Sequence, residues 1–159
     1  MADRAGFEAF YRERLPGLVR ACWLATLDRS IAEDIAAEAF ARLWANWGRI
    51  RDHDHAGGYV YKTAMRLCAR TVRRARRERR VDAAPAVDEI EGMLERSRVF
   101  ATLAELPLRQ RQAVVLRDWA GYEVSEIASI LGTRDSTVRV HLARGRQALR
   151  RGLRMEDVT

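Results

Sequence analysis

Helical spacing of apolar residues constrains this chain more than any other feature. Near the N-terminus, apolar side chains recur at steps of three and four residues, at Phe7, Phe10, Tyr11, Leu15, Leu18, Val19 and Cys22. Such steps place side chains on one face of an α-helix. No convincing stretch alternates apolar and polar residues as a half-buried strand does. The sequence therefore predicts an all-α fold.

Local signals divide the first 80 residues into three helices. The first is predicted to end near Asp28 and to bend or start at Pro16, and Ser30 begins a capping-box pattern that ends at Glu33. The segment Gly48–Gly58, GRIRDHDHAGG, has the composition of a loop. A long helix follows from Tyr59 to Arg80, so its predicted start lies just after the glycines.

A change in composition marks a domain boundary. Residues 81–92, VDAAPAVDEIEG, combine proline, glycine, alanine and acids, which is typical of an interdomain linker. We therefore predict two small helical domains, residues 1–80 and 95–159, joined by a flexible acidic linker at 81–94.

The C-terminal part has the pattern of a helix-turn-helix. A short helix marked by Val124 and Leu131 meets a longer one at Gly132, and Ala128 is small where the two would cross. The second helix of such a pair lies in the DNA major groove. Its outward side chains are candidates for duplex contact: Thr137, Arg139, Val140, His141 and Arg144, with Arg146, Arg150 and Arg151 farther along. The alternative is a solvated basic helix in an ordinary bundle.

Positive charge is concentrated in two segments. The formal net charge is +7. Residues 59–80 carry nine Lys or Arg against one acid, and residues 134–159 carry seven Arg against three acids. Two basic surfaces on a body that is otherwise neutral or acidic suggest a polyanion contacted at two places.

Other functional classes receive little support. Cys22 and Cys68 lack metal or redox spacing and sit in apolar helical patterns, which predicts buried, reduced thiols. The run Asp52-His53-Asp54-His55 resembles part of a metal site, but the remaining histidine, His141, belongs to the proposed recognition helix. We expect no metal and no other cofactor. No apolar run approaches the length of a membrane span, so we expect a cytoplasmic protein.

Two long stretches resemble the extracytoplasmic-function (ECF) sigma factors of bacterial RNA polymerase. LPLRQRQAVVLRDWAGYEVSEIASILGTRDSTVRVHLARGRQALRRGL is similar to the family's fourth-region domain, which binds the minus-thirty-five promoter element. FEAFYRERLPGLVRACWL, SIAEDIAAEAFARLW and GGYVYKTAMRLCARTVRRARRE are similar to the second-region domain. Together the stretches cover residues 6 to about 152 in the family's order.

The resemblance assigns roles to individual residues. The family's AEDxxQExFxxLW helix docks on the coiled-coil clamp of the polymerase's largest subunit, and the matching positions here include Asp34, Glu38, Arg42, Leu43 and Trp44. The basic helix holds the minus-ten element as a melted single strand, which implicates His55, Tyr59, Lys62, Arg66, Arg70, Arg73 and Arg74. A cationic groove with stacking surfaces suits such a strand. From spacing alone, Tyr61 is predicted to be core, whereas Tyr59 either stacks on bases or packs inside.

The sequence departs from the family pattern at three positions. Ala37 replaces the usual glutamine of the clamp-binding helix. Arg66 stands where the family often has asparagine, so we expect an unusual minus-ten preference. Arg134 occupies a common serine cap position, and Asp135 is expected to complement the helix N-terminus instead.

The resemblance implies a transcription initiation factor, not an enzyme. Its expected partners are core RNA polymerase, promoter DNA and an inhibitory anti-sigma factor, which is often membrane-bound and would then hold this chain at the membrane. No small-molecule substrate and no direct membrane insertion are expected. Two alternatives remain open at this point: a conventional helix-turn-helix regulator acting without polymerase, and a metal-dependent enzyme using His53 and His55.

Overall fold

A computed structural model describes residues 3–50, 52–79 and 94–154, with the backbone alone for residues 53, 54, 79 and 94–97. Across these ranges the chain is helical and contains no strand, which confirms the all-α prediction. The predicted linker lies outside the described residues except for its last position, Leu94.

The described residues form seven α-helices in chain order. They are α1 (Arg4–Thr26), α2 (Arg29–Asn46), α3 (His53–Arg79), α4 (Leu94–Glu105), α5 (Leu108–Val114), α6 (Val124–Leu131) and α7 (Asp135–Arg154). A 3₁₀ turn, Trp47–Arg49, follows α2, and a π-helical turn, Val115–Trp119, follows α5. Among the described helices, none combines the length and the apolar character that crossing a membrane requires.

Helix α2 begins earlier than the capping-box pattern predicted. The N-cap is Asp28, whose side-chain oxygen accepts a hydrogen bond from the amide of Ile31 at 3.0 Å. The predicted cap, Ser30, lies inside the helix, so that prediction was wrong. The reason is local: α1 ends at Thr26, and Leu27 adopts a left-handed backbone with φ of 64°, which turns the chain sharply enough for Asp28 to cap α2.

Helix α3 also begins earlier than expected. His53–Gly58 was predicted as loop, but it forms the first turns of α3. One carboxylate oxygen of Asp52 accepts from the amide of His55 at 2.8 Å, and the other lies 2.6 Å from Nδ1 of the same residue. This cap satisfies an amide that the start of a helix otherwise leaves open, and it offsets the poor helix propensity of the two glycines.

The N-terminal core is made of α1, α2 and α3. Phe10, Leu18, Leu43, Val60 and Met65 are fully buried there, and α1 continues unbroken through Pro16. Cys22 and Cys68 are buried free thiols, as predicted. Contact with Cys68 and burial together raise the pKa of Cys22, so this thiol stays protonated.

In the C-terminal half, α5 and α7 pack closely. Pro107 is the N-cap of α5, and the preceding helix ends at Glu105. Gly145 of α7 sits so close to α5 that a Cβ atom there would lie 2.7 Å from Cγ2 of Val114. Glycine therefore lets the two helices approach.

The two halves pack against each other. Helix α6 lies on α3, and the rings of Tyr61 and Tyr122 meet edge to face with centroids 5.0 Å apart. The buried apolar residues form one cluster that extends through both halves. The first three of the α3 residues that the sequence assigned to DNA, His55, Tyr59 and Lys62, therefore lie beside the C-terminal half.

Candidate nucleic-acid and polymerase interfaces

The C-terminal helix-turn-helix presents the predicted duplex-binding residues outward. Gly132 has φ of +66° and forms the left-handed turn between α6 and α7. Val138, Leu142 and Gly145 are buried against the rest of the domain. The opposite face carries the predicted set: Arg139, Val140 and Arg144 are exposed, and Thr137 and His141 are half-buried. The geometry is therefore that of a recognition helix with a free outer face.

Positive charge surrounds His141. Burial, Arg109 and Arg144 lower its pKa, in that order of importance. Its Nδ1 atom is buried and has no hydrogen-bond partner among the described residues. Arg109 extends from α5 and donates to the carbonyl of Leu131 at 3.2 Å. An anion such as a DNA phosphate would relieve the repulsion among these three side chains.

Arg146 has a different position from the one predicted. It was placed with the outward arginines, but its Nη2 and Nε donate to the two carboxylate oxygens of Asp118 at 2.6 and 3.2 Å. This bond raises the pKa of Arg146. The bidentate pair ties α7 to the π-helical turn, so Arg146 fixes the recognition helix to its support and is less available to DNA than the arginines before it.

Six of the seven predicted single-strand residues form one stripe along α3. His55, Tyr59, Lys62, Arg66, Arg70 and Arg73 follow one another at steps of three or four residues. Arg66, Arg70, Arg73 and Arg74 are exposed, and Arg74 pairs with Glu78 across 3.4 Å. The stripe joins a cationic track to an aromatic side chain, as binding of a single strand requires.

The two tyrosines of α3 have different environments. Tyr61 is buried, as predicted, and burial raises its pKa. Tyr59 is half-buried, and its hydroxyl accepts a hydrogen bond from Nδ2 of Asn46 at 2.9 Å. One edge of the Tyr59 ring is therefore anchored to α2 while the rest remains partly accessible.

Part of this stripe is covered by α6. His55, Tyr59 and Lys62 line a cleft of about 320 Å³ together with residues of the C-terminal half. The opposing wall consists of Tyr122, Glu126, Ser129 and Ile130. In this arrangement the aromatic end of the stripe faces α6, whereas its arginine end is open.

A third surface lies on α2. Asp34, Glu38 and Arg42 are exposed at steps of four, and Arg42 pairs with Glu38 at 3.0 Å. Trp44 is 40% exposed, so part of its apolar ring is available for contact. Leu43, by contrast, is fully buried and belongs to the core, so we remove it from the predicted contact set.

Sequence reasoning missed that this surface extends onto α1. The Trp44 ring lies 4.9 Å from that of Phe7, and both line a shallow hollow with Arg4 and Glu8. The apolar spacing of α1 placed Phe7 inside, and nothing in that spacing distinguishes a core position from the rim of a surface. Sequence reasoning also missed two buried polar residues of α5, Arg111 and Gln112.

Comparisons with known proteins match both halves of the chain. Residues 10–78 match the family model for Sigma-70 region 2, and residues 96–149 match that for Sigma-70, region 4. The RNA polymerase sigma-E factor of Streptomyces coelicolor is 28% identical over 162 residues, covering 99% of this chain and 92% of that protein. The ECF RNA polymerase sigma factor SigM of Mycobacterium tuberculosis is 27% identical, covering 94% and 78%.

Solved structures share the fold. The sigma factor RpoE of Bartonella quintana, in complex with the anti-sigma factor NepR, superposes with a TM-score of 0.78 at 19% identity, covering 94% of this chain and 97% of that one. CnrH, in complex with the cytosolic domain of CnrY, gives 0.74 at 21% identity, covering 96% and 90%. The two region matches occur in the family's order and together cover 123 of the 159 residues. This chain belongs to the sigma-70 family, as one of its extracytoplasmic-function (ECF) sigma factors.

Proposed function

We propose that this protein is a transcription initiation factor that binds core RNA polymerase through α2 and reads promoter DNA with two separate surfaces. The observation that carries the proposal is the presence, in one chain, of a free recognition helix and a cationic stripe with an aromatic end. A sigma factor must hold DNA both as a duplex and as a melted strand. Each of these surfaces suits one of the two forms.

Duplex recognition is assigned to α7. The exposed side chains of Arg139 and Arg144 are long enough to reach base edges or phosphates, and Thr137 and Val140 can contact base edges and thymine methyl groups. Burial, Arg109 and Arg144 lower the pKa of His141, and a bound phosphate would favour its charged form. This surface would hold the minus-thirty-five element.

Capture of the melted strand is assigned to α3. Arg66, Arg70, Arg73 and Arg74 would track the phosphates, and Tyr59 would offer a stacking surface beside Lys62 and His55. A surface that binds unpaired bases better than paired ones shifts the equilibrium toward melted DNA. The chain therefore needs no catalytic group, and the polymerase supplies the chemistry. We accordingly infer that it is not an enzyme.

Polymerase binding is assigned to the exposed stripe of α2. Asp34, Glu38 and Arg42 present charges of both signs next to Trp44, which suits a partner with complementary charges around an apolar contact. The structural relatives were solved with anti-sigma partners, which supports an anti-sigma factor for this chain as well. We expect the protein to act in the cytoplasm, and a membrane-bound inhibitor would hold it at the membrane.

Two pairs of substitutions test this division of labour. Arg139→Ala with Arg144→Ala should weaken binding of minus-thirty-five duplex by about tenfold or more, because each lost base or phosphate contact costs about 1–3 kcal/mol. Core polymerase binding should hardly change. Asp34→Arg with Glu38→Arg should do the reverse. Electrophoretic mobility shift and core co-purification give the two readouts, and circular dichroism checks folding.

The opposite results are equally informative. If either folded double variant lost both activities, the assignment of separate surfaces would be wrong. If the unmodified protein bound duplex tightly and ignored core polymerase, it would behave as a conventional helix-turn-helix regulator.

A further inference from the structure

Helix α5 is held against both halves of the protein. Nη1 of Arg111 donates to the carbonyl of Ala25 in α1 at 2.8 Å, and Nε2 of Gln112 donates to the carbonyl of Met65 in α3 at 2.9 Å. Helix α5 also packs against the recognition helix, α7. A side chain at the start of α5 therefore has a fixed position relative to both α3 and α7.

Basic side chains from these three helices meet at the first turn of α5. Arg109 belongs to this turn, Arg73 to α3, and His141 and Arg144 to α7. We call these four residues the junction cluster. Arg109 and His141 are half-buried, whereas Arg73 and Arg144 are exposed. Nη1 of Arg109 donates to the carbonyl of Leu131 at 3.2 Å, and the rest of its planar fork can donate to a second acceptor.

The members of the junction cluster repel one another. Burial and then Arg73 lower the pKa of Arg109. Burial, then Arg109 and Arg144, lower the pKa of His141. Each of these charges is therefore felt by its neighbour, and a line of like charges runs from α3 through α5 to α7. This line connects the cationic stripe of α3 with the recognition helix.

The junction cluster has no acidic counterpart. Within the described residues, no carboxylate forms a salt bridge with any of its members. Neighbouring arginines differ in this respect, because Arg74 pairs with Glu78 and Arg146 pairs with Asp118. Like charges without a counter-charge raise the free energy of the folded protein, so a bound anion would stabilise it.

The side chains of the cluster indicate which anion suits it. The planar fork of arginine matches the oxygens of a phosphate group, and hydrogen bonds between charged partners are stronger than neutral ones. A linear chain of phosphate groups presents charged oxygens along its length, so it can contact cations on three helices better than a single phosphate can. A neutral or apolar ligand would gain little from guanidinium groups that are exposed or half-buried.

We propose that the junction cluster binds a free oligophosphate, a short linear chain of phosphate groups, with Arg109 as the central ligand. Arg109 belongs to neither of the predicted DNA surfaces, whereas Arg73 belongs to the α3 stripe and Arg144 to the recognition helix. A bound oligophosphate would occupy one arginine of each surface and would therefore compete with promoter DNA. The competition rests on the proposed function, but binding of the anion does not.

Isothermal titration calorimetry of the full-length protein with inorganic tripolyphosphate tests the site. We expect saturable binding that Arg109→Gln weakens by about tenfold, because a hydrogen bond between charged partners is lost. The matched control, Arg154→Gln, removes the same group from an exposed position at the end of α7 and should change the affinity by less than about twofold. Equal losses in the two variants would show diffuse attraction to a basic protein and would overturn the site, as would the absence of binding.

A second variant tests the contribution of the N-terminal half. Arg73 is exposed, so Arg73→Gln keeps the proposal testable if Arg109→Gln does not fold, and circular dichroism checks both proteins. We expect Arg73→Gln to weaken tripolyphosphate binding by about fivefold. Arg49→Gln, at an exposed position in the same half, is the matched control and should have a smaller effect. An Arg73→Gln protein with unchanged affinity would contradict a site shared by the two halves.

Duplex binding identifies the source of the phosphate groups. Tripolyphosphate should displace labelled duplex DNA from the unmodified protein, and Arg109→Gln should require about tenfold more of it while its own duplex affinity stays within about twofold. If Arg109→Gln weakened duplex and tripolyphosphate binding equally, the cluster would serve the DNA backbone and the proposal of a free oligophosphate would be overturned. Failure of the proposed function is seen separately, in core polymerase co-purification, which does not depend on this site.

Discussion

Gly132 carries the turn on which the recognition helix depends. Its φ of +66° lies in the left-handed region, where a Cβ atom adds about 1–2 kcal/mol of strain, although the surrounding space is open. We expect Gly132→Ala to lower the free energy of unfolding by about 1 kcal/mol. Gly48→Ala is the matched control, because Gly48 is equally uncrowded and lacks a positive φ. Urea denaturation compares the two, and equal effects would contradict a backbone origin.

His141 should make stability depend on pH. Burial, Arg109 and Arg144 lower its pKa in the folded state below the ordinary value near 6.5. The unfolded chain therefore takes up a proton first as the pH falls, and folded stability decreases from about pH 7 downward until the folded state is also protonated. His141→Gln should remove this component. Denaturation curves of the two proteins, measured at several pH values between 7.5 and 5, test this. If the difference between their free energies of unfolding stayed constant over this range, the prediction would be contradicted.

At the scale of elements, the close approach of α5 and α7 sets the pose of the recognition helix. A Cβ atom at position 145 would lie 2.7 Å from Cγ2 of Val114, so Gly145→Ala forces one helix to move. We expect a loss of about 1–3 kcal/mol, the usual cost of overpacking. Val114→Ala in the same protein should recover part of this loss, because it removes the clashing methyl. Thermal melts test the pair, and a double variant less stable than Gly145→Ala alone would argue against the clash.

The helices also show what the spacing of apolar residues can and cannot predict. The spacing of apolar residues predicted the helix-turn-helix and the glycine turn between its helices, because both depend on local signals. It misplaced the starts of α2 and α3. Ser30 and Asp28 both offer a capping oxygen. Because Leu27 adopts a left-handed conformation, Asp28 is the residue that caps α2. At α3, Asp52 and its bonds to His55 outweighed the two glycines that suggested a loop.

For the whole molecule, charge distribution predicted two polyanion-binding surfaces but not how the halves meet. The partners of Arg111 and Gln112 are backbone carbonyls, which carry no sequence signature. From the sequence alone, the buried arginine of α5 therefore cannot be distinguished from the other arginines of this basic chain. The burial of Leu43 could not be predicted either: the family resemblance placed this residue in a contact surface, whereas the structure places it in the core.

The central claim is that this chain directs core polymerase to promoters. The most direct measurement is assembly with sigma-free bacterial core polymerase, followed by transcription from a pool of genomic fragments. We predict discrete start sites that appear only when this protein is added and that disappear with Asp34→Arg/Glu38→Arg. Folded protein that failed to bind core polymerase, while holding duplex DNA tightly alone, would contradict the account.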